Sequence, residues 1–253
     1  MMRMQYASFR LASWLSEGLP TASAFGLAER LSDIRWQHSA RDRAVVEANL
    51  SVITGSPPTE QASLTREVFR NFGRYLVEFF SVHRVPSPDV QVEGYEHLLS
   101  AQRQRRGAIL LTAHLGNWEV GGVLIRRMGF PVNVVALPHQ NVQMDWLFNR
   151  QRERCGLNVI PLGTGAAHRS LECLRNGELL GLLGDRQFND AGVVISLCGR
   201  QVVLPRGPAT LSLRSQAPIV PTFLIREGAW KFRLCFEPPM RPQARVERES
   251  SID

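Results

Sequence analysis

Lysine is almost missing from this chain: Lys231 is the single one among 30 basic residues, so the net charge of +7 is carried by arginine. Arginine's planar fork suits phosphate and carboxylate better than a point charge does. The charge therefore favours acidic partners, whether nucleic acid, anionic lipid or an acidic carrier protein, without choosing among them. No nucleic-acid reader motif accompanies it, which leaves that partner the weakest of the three. Long apolar runs are missing too, since no segment approaches the roughly 20 residues needed to span a bilayer. The N-terminus resembles a secretory leader only at "ASA", because Arg10 and Glu17 interrupt any apolar stretch. Cys155, Cys173, Cys198 and Cys235 form no CxxC pair and no other metal-ligand spacing. That argues against a zinc module and fits a reduced, cytoplasm-facing compartment. There is no internal repeat, which removes solenoids and propellers.

What remains is ordinary globular material: 253 residues, 44% hydrophobic and 21% charged, enough for one large α/β domain. Residues 1–85 read as helical. Tyr6, Phe9, Leu11, Trp14, Leu15 and Leu19 give the start of the chain an aromatic, apolar side that suits either a membrane surface or its own domain. Between Pro58 and Arg84, the positions Leu64, Val68, Phe69, Phe72, Leu76, Phe79 and Phe80 recur at helical spacing, with Thr59 as the expected N-cap. Core packing or an acyl-chain groove would both use that stripe.

From Gly107 the pattern changes. The runs "GAILLTA", "PVNVVAL", "LNVIPL" and "ELLGLLG" alternate with helical pieces at about Asn117 to Met128, Asn141 to Cys155 and Ala166 to Asn176. Continuous hydrophobicity in the runs implies strands buried on both faces, hence a central, largely parallel sheet covered by helices over residues 86–237. "GVVISL", "APIVPTFLI" and "WKFRLCFE" are expected to complete it, and residues 238–253 to be a poorly ordered tail.

The first apolar run ends at His114, and Glu119 follows five residues later. On one helix such a pair would diverge by about 140°. Across a strand-to-helix turn the pair makes sense: with Asn117 as N-cap, Glu119 falls in the first turn and His114 in the loop at the strand's C-terminal end. Parallel α/β sheets place their sites at that edge. A carboxylate on one imidazole nitrogen leaves the other free to take a proton from a hydroxyl, which is half of a catalytic triad with the nucleophile left to the substrate. Spacing alone leaves a second reading open, in which the glutamate serves the helix dipole and the histidine nothing.

"AHLGNWE" resembles the H-x4-E motif of the bacterial lipid A biosynthesis (lauroyl/myristoyl) acyltransferases, whose phosphatidylinositol mannoside relatives carry H-x4-D. "RDRAVVEANLSVITG" and "GDRQFNDAGVVISLCGRQVVLPRGPATLSLRSQAPIVPTFLIR" resemble two further blocks of that family in the same order, so the likeness covers roughly Arg41 to Arg226. It implies a glycerolipid-acyltransferase-like fold and an O-acyltransferase without cofactor or metal. The donor would be acyl carrier protein or acyl-CoA, and the acceptor a hydroxyl of a membrane glycolipid such as a lipid A precursor. By the same likeness His114 is the general base and Glu119 its orienting partner. Asn117, Arg152, Arg154, Asp185, Arg186, Arg206 and Gly207 are expected at the substrate. The expected location is peripheral, on the cytoplasmic face of the inner membrane.

Three departures keep alternatives open. Leu197 and Cys198 stand where the family has an aromatic pair. "GDRQ" lies between the "DQ" of lipid A enzymes and the "DR" of mannoside enzymes, and the family's closing helical segment rich in Trp and Arg does not follow the last strand. A mannoside or lysophospholipid acceptor, or a lipid-binding member without turnover, are the rivals, although no "FPEG" block of the glycerolipid enzymes occurs.

Overall fold

The computed structural model describes residues 2–188 and 192–242. Four helices come first: α1 (Met2–Gly18), α2 (Thr21–His38), α3 (Ala40–Thr54) and α4 (Ala62–Ser81). An alternating region follows, with β1 (Asp89–Glu93), α5 (Tyr95–Gln102), β2 (Ala108–Thr112), α6 (Trp118–Arg127), β3 (Val132–Ala136), α7 (Val142–Arg154), β4 (Asn158–Pro161), α8 (Ala166–Arg175) and β5 (Leu179–Leu183). A hairpin of β6 (Gly192–Leu197) and β7 (Arg200–Pro205), then α9 (Gly207–Ser215), β8 (Ile219–Gly228) and β9 (Lys231–Phe236), complete it.

Seven strands make one sheet in the order β1-β9-β8-β2-β5-β3-β4. β8, β2, β5, β3 and β4 run parallel to one another, while β9 is antiparallel to β8 and carries β1 parallel to itself at the edge. Successive residues of the central strands enter opposite cores. Leu110 and Leu179 join the cluster under α6, and Ile109 and Leu180 join the one under α8. This is the double burial that the unbroken apolar runs demand.

Several expectations are corrected. "GVVISL" does not extend the main sheet; it pairs with β7 in a separate antiparallel ribbon. Thr59 does not cap α4, because Pro58–Glu60 form a 3-10 turn and the helix begins at Ala62 after Gln61. The α4 stripe divides: Phe79 and Phe80 are buried and Phe69 and Leu76 half-buried, whereas Leu64, Val68 and Phe72 are exposed. On α1, Tyr6 and Phe9 turn inward against Phe79, Phe80, Met144 and Phe148, while Leu11 and Trp14 face outward. The expected tail is ordered at its start, where Met240 exchanges backbone hydrogen bonds with Ile219; residues 243–253 lie outside the described residues. Among the described residues no helix is long and apolar enough to cross a membrane.

Candidate active site

β2 and β5 are neighbours with Thr112 paired to Leu183, so the residues two positions beyond each strand, His114 and Asp185, emerge side by side. The Asp185 carboxylate accepts from the His114 backbone N–H at 3.0 Å and lies 2.9 Å from its Nδ1. Nδ1 thereby carries the proton and Nε2 is left as the basic nitrogen. The imidazole stands edge-on to Trp118 with ring centres 4.7 Å apart. Its side chain keeps 32% of its surface exposed.

Glu119 does not meet the imidazole. α6 begins at Trp118, with Asn117 Oδ1 accepting from the Val120 N–H at 3.2 Å as the caps of that turn require. The first turn sends Glu119 inward, where it is 6% exposed. Arg152 of α7 reaches it there, with Nε 3.0 Å from Oε2 and Nη2 bonded to Oε1, and gives its remaining Nη1 to Asn149 at 2.7 Å. Burial opposes the charge on Arg152, but Glu119 outweighs it and holds the guanidinium above its ordinary pKa. The carboxylate expected at the imidazole is instead paired with Arg152 between two helices, and the carboxylate in contact with His114 is that of Asp185.

Asn117 is fully buried and occupied. Its amide nitrogen donates to Glu78 at 2.7 Å, and Glu78, itself fully buried, pairs with Arg226 of β8 at 2.8 Å. Gly116 has φ +66°, and a Cβ there would lie 1.8 Å from the Leu224 carbonyl oxygen, so the motif's glycine is a steric demand of the turn where it meets β8. Arg154 points away and contacts Glu17 of α1 at 3.3 Å. Arg186 lies 5.4 Å over the Phe188 ring beside the site. Arg206 sits at the N-cap of α9, and Gly207 opens that helix. Gly207 has no positive φ, and a Cβ would meet nothing within 4 Å, so the backbone does not require glycine there.

His114, Glu119, Arg152, Arg186 and Gly207 line one cavity of about 530 Å³; Asn117, Arg154, Asp185 and Arg206 are not among its lining residues. The walls are mostly apolar, running from Leu137 beyond the end of β3 to Val132 at its start. Five residue steps along a strand correspond to about 17 Å of depth. The space exists because Gly121 and Gly122 of α6 and Gly181 of β5, which all line it, present no side chains. His139, whose pKa burial and then Arg152 lower, packs 5.0 Å from Phe148 on the same wall. Sequence reasoning missed His139, Tyr75 and Trp118; only the position of "HQN" just before a helix hinted at the first. Among the described residues no cluster of His, Cys, Asp and Glu is placed to hold a metal ion.

The fold and site define an α/β protein with a histidine–aspartate pair at the C-terminal edge of a largely parallel sheet, beside a mostly apolar cavity. The chain belongs to the bacterial lipid A biosynthesis acyltransferase family, whose model matches residues 8–251. The phosphatidylinositol mannoside acyltransferase of Mycolicibacterium smegmatis is 30% identical over 199 residues, covering 74% of this chain and 64% of that protein. The Mycobacterium tuberculosis protein of the same name is 30% identical over 201 residues, covering 74% of this chain and 62% of its own length. The lipid A biosynthesis palmitoleoyltransferase of Escherichia coli is 25% identical over 248 residues, 94% of this chain and 79% of that one. The match thus spans a little under two thirds of the mannoside relatives.

Proposed function

We propose that this protein is an O-acyltransferase that moves a fatty acyl chain from a thioester, on acyl carrier protein or coenzyme A, to a hydroxyl of a membrane glycolipid. The observation that carries the reading is the His114–Asp185 pair, with Nδ1 held at 2.9 Å, on the rim of the apolar cavity. The cavity takes the acyl chain and brings the thioester carbonyl to the rim. His114 Nε2 removes the acceptor hydroxyl proton as its oxygen attacks the carbonyl carbon. The tetrahedral intermediate collapses, the carbon–sulfur bond breaks, and the imidazolium returns the proton to the departing thiolate. No covalent acyl-enzyme is involved, and no metal or cofactor enters the step.

In this reading Asp185 positions His114 and stabilises the imidazolium, while Glu119 and Arg152 hold α6 against α7. Arg186 supplies positive charge at the rim for phosphate on donor or acceptor. The arginine-rich surface serves an acidic carrier protein and anionic lipid alike. The protein works peripherally on the cytoplasmic face of the inner membrane.

Two acceptors follow from the relatives: a lipid A precursor, and a phosphatidylinositol mannoside, which the higher identity to the mannoside enzymes favours. The test is transfer of radiolabel from acyl carrier protein and from acyl-CoA into each acceptor, with His114→Ala as control. Label in a glycolipid that disappears in the variant supports the reading. Folded wild-type protein that transfers from neither donor would return the chain to the lipid-binding alternative.

A further inference from the structure

The hairpin of β6 and β7 is its own two-stranded sheet. Its register sets Val193 opposite Leu204 and Ile195 opposite Val202 on one face, with Val194 opposite Val203 on the other. Val193 is 49% exposed, Val194 63%, Leu197 51% and Val203 49%. A lone two-stranded ribbon is marginal in water. One that bares valines on both faces, among the described residues, presents apolar surface of the kind that marks an interaction site.

The ribbon stands beside other bare apolar groups. β2, β3, β4 and β5 are parallel, so the loops after them share one edge of the sheet. Those loops expose Leu115, Leu137, Leu162 and Phe188. Phe188 and Pro205, the latter at the foot of the hairpin, line the cavity. Arg186, in the loop after β5, and Arg200, next to the hairpin turn, are exposed as well.

We propose that the β6–β7 hairpin and this apolar rim form the surface that beds into an anionic lipid bilayer, setting the cavity mouth against the layer that holds the acceptor. The inference rests on the reading of the chain as a lipid-modifying enzyme. A protein partner would cover one face of the ribbon, whereas an apolar medium covers both. Arginine stems lie along apolar surface while their guanidinium groups reach phosphates, which fits the exposed Arg186 at the rim and Arg200 on the hairpin. The exposed residues on α1 and α4 differ in kind, since each set lies along one side of a helix whose other side packs inward.

Cys198 at the hairpin turn provides the probe. It is exposed, whereas Cys155 and Cys235 are half-buried and Cys173 is buried. Burial raises all three of those thiols above their ordinary pKa, Cys173 to about 12, so Cys198 labels selectively near neutral pH. The whole chain carrying an environment-sensitive maleimide dye on Cys198 is mixed with phosphatidylcholine vesicles containing phosphatidylglycerol. The expected result is a blue-shifted rise in emission. Val193→Ser, Val194→Ser and Val203→Ser together should lower vesicle partition about tenfold with an unchanged circular dichroism spectrum. Leu11→Ser with Trp14→Ser, and Leu64→Ser with Val68→Ser, should leave partition within about twofold. Vesicle binding that leaves the dye unchanged, a loss that follows the helix variants instead, or a hairpin-dependent dimer that ignores vesicles would each overturn the proposal. Transfer to a detergent-dispersed acceptor, measured alongside, separates the outcomes: its absence would strike the acyl-transfer reading, while the dye reports on the hairpin alone.

Discussion

Two carboxylates border the cavity region and live in opposite surroundings. Asp185 keeps 36% of its side chain exposed and faces a half-exposed histidine, whereas Glu119 keeps 7% and faces an arginine with 11%. An open pair can exchange protons with a substrate and re-form. A sealed ion pair cannot lose one partner without stranding the other's charge. The H-x4-E spacing therefore joins two different devices: its histidine belongs to an open pair at the sheet edge, which the proposed reading makes the reacting one, and its glutamate to a buried clamp between two helices.

Removing the histidine that the proposed reading makes the base should give the largest effect. His114→Ala is expected to cut acyl transfer by about a thousandfold, measured from a labelled thioester, with thermal stability unchanged. Equal loss of stability would merge the two devices and break the contrast.

Opening the clamp comes next and should appear in folding rather than in chemistry. Glu119→Gln leaves Arg152 buried without its counter-charge, and urea unfolding should show a loss of about 3–5 kcal/mol. Adding Arg152→Met should recover most of it. A stable single variant would show that the pair does not hold the helices.

The cavity between the devices can be narrowed without touching either. A Cβ on Gly122 would lie 3.5 Å from Leu157 Cδ1, an ordinary contact, and Gly122 lines the cavity, so the rest of the side chain in Gly122→Leu is expected to take up cavity space. Leucine also favours the helix by up to about 1 kcal/mol over glycine. Stability should hold, and transfer from long-chain donors should fall roughly tenfold relative to short ones. An unchanged chain-length profile would remove the acyl chain from this cavity.

The smallest effect concerns acid, far from the site. Asp33 on α2 accepts from Arg70 and Arg66 on α4, and these bonds hold its carboxyl well below the usual carboxylate range. A depressed folded pKa contributes stability that is complete above about pH 4 and erodes as the pH falls from there toward the folded value. Asp33→Asn should flatten the acid limb of the thermal midpoint against pH, and an identical limb would assign that sensitivity to other groups.

Local signals were legible. The cap at Asn117, the helices that start near Asn117, Asn141 and Ala166, and the positions of β2, β3, β4 and β5 follow from short-range pattern, although β4 lies at the sheet edge with only Ile160 buried rather than covered on both faces. β1 and β7 were not, because "DVQVE" and "RQVVLP" are short and half polar and gain their pairing only from β9 and β6. The partner of His114 was hidden for the same reason. Asp185 lies 71 positions away in sequence and comes beside the histidine only because β5 is the neighbour of β2. Glu119 was nearer along the chain, and the burial that took it to Arg152 depends on where α7 packs.

The most direct measurement compares transfer by Asp185→Asn with transfer by Glu119→Gln, Arg152→Met, at a temperature where both are folded. Loss of about a hundredfold in the aspartate variant, with the double variant within about tenfold of wild type, is the predicted outcome. Near-normal transfer by Asp185→Asn beside an inactive double variant would return the orienting role to Glu119 and contradict the account.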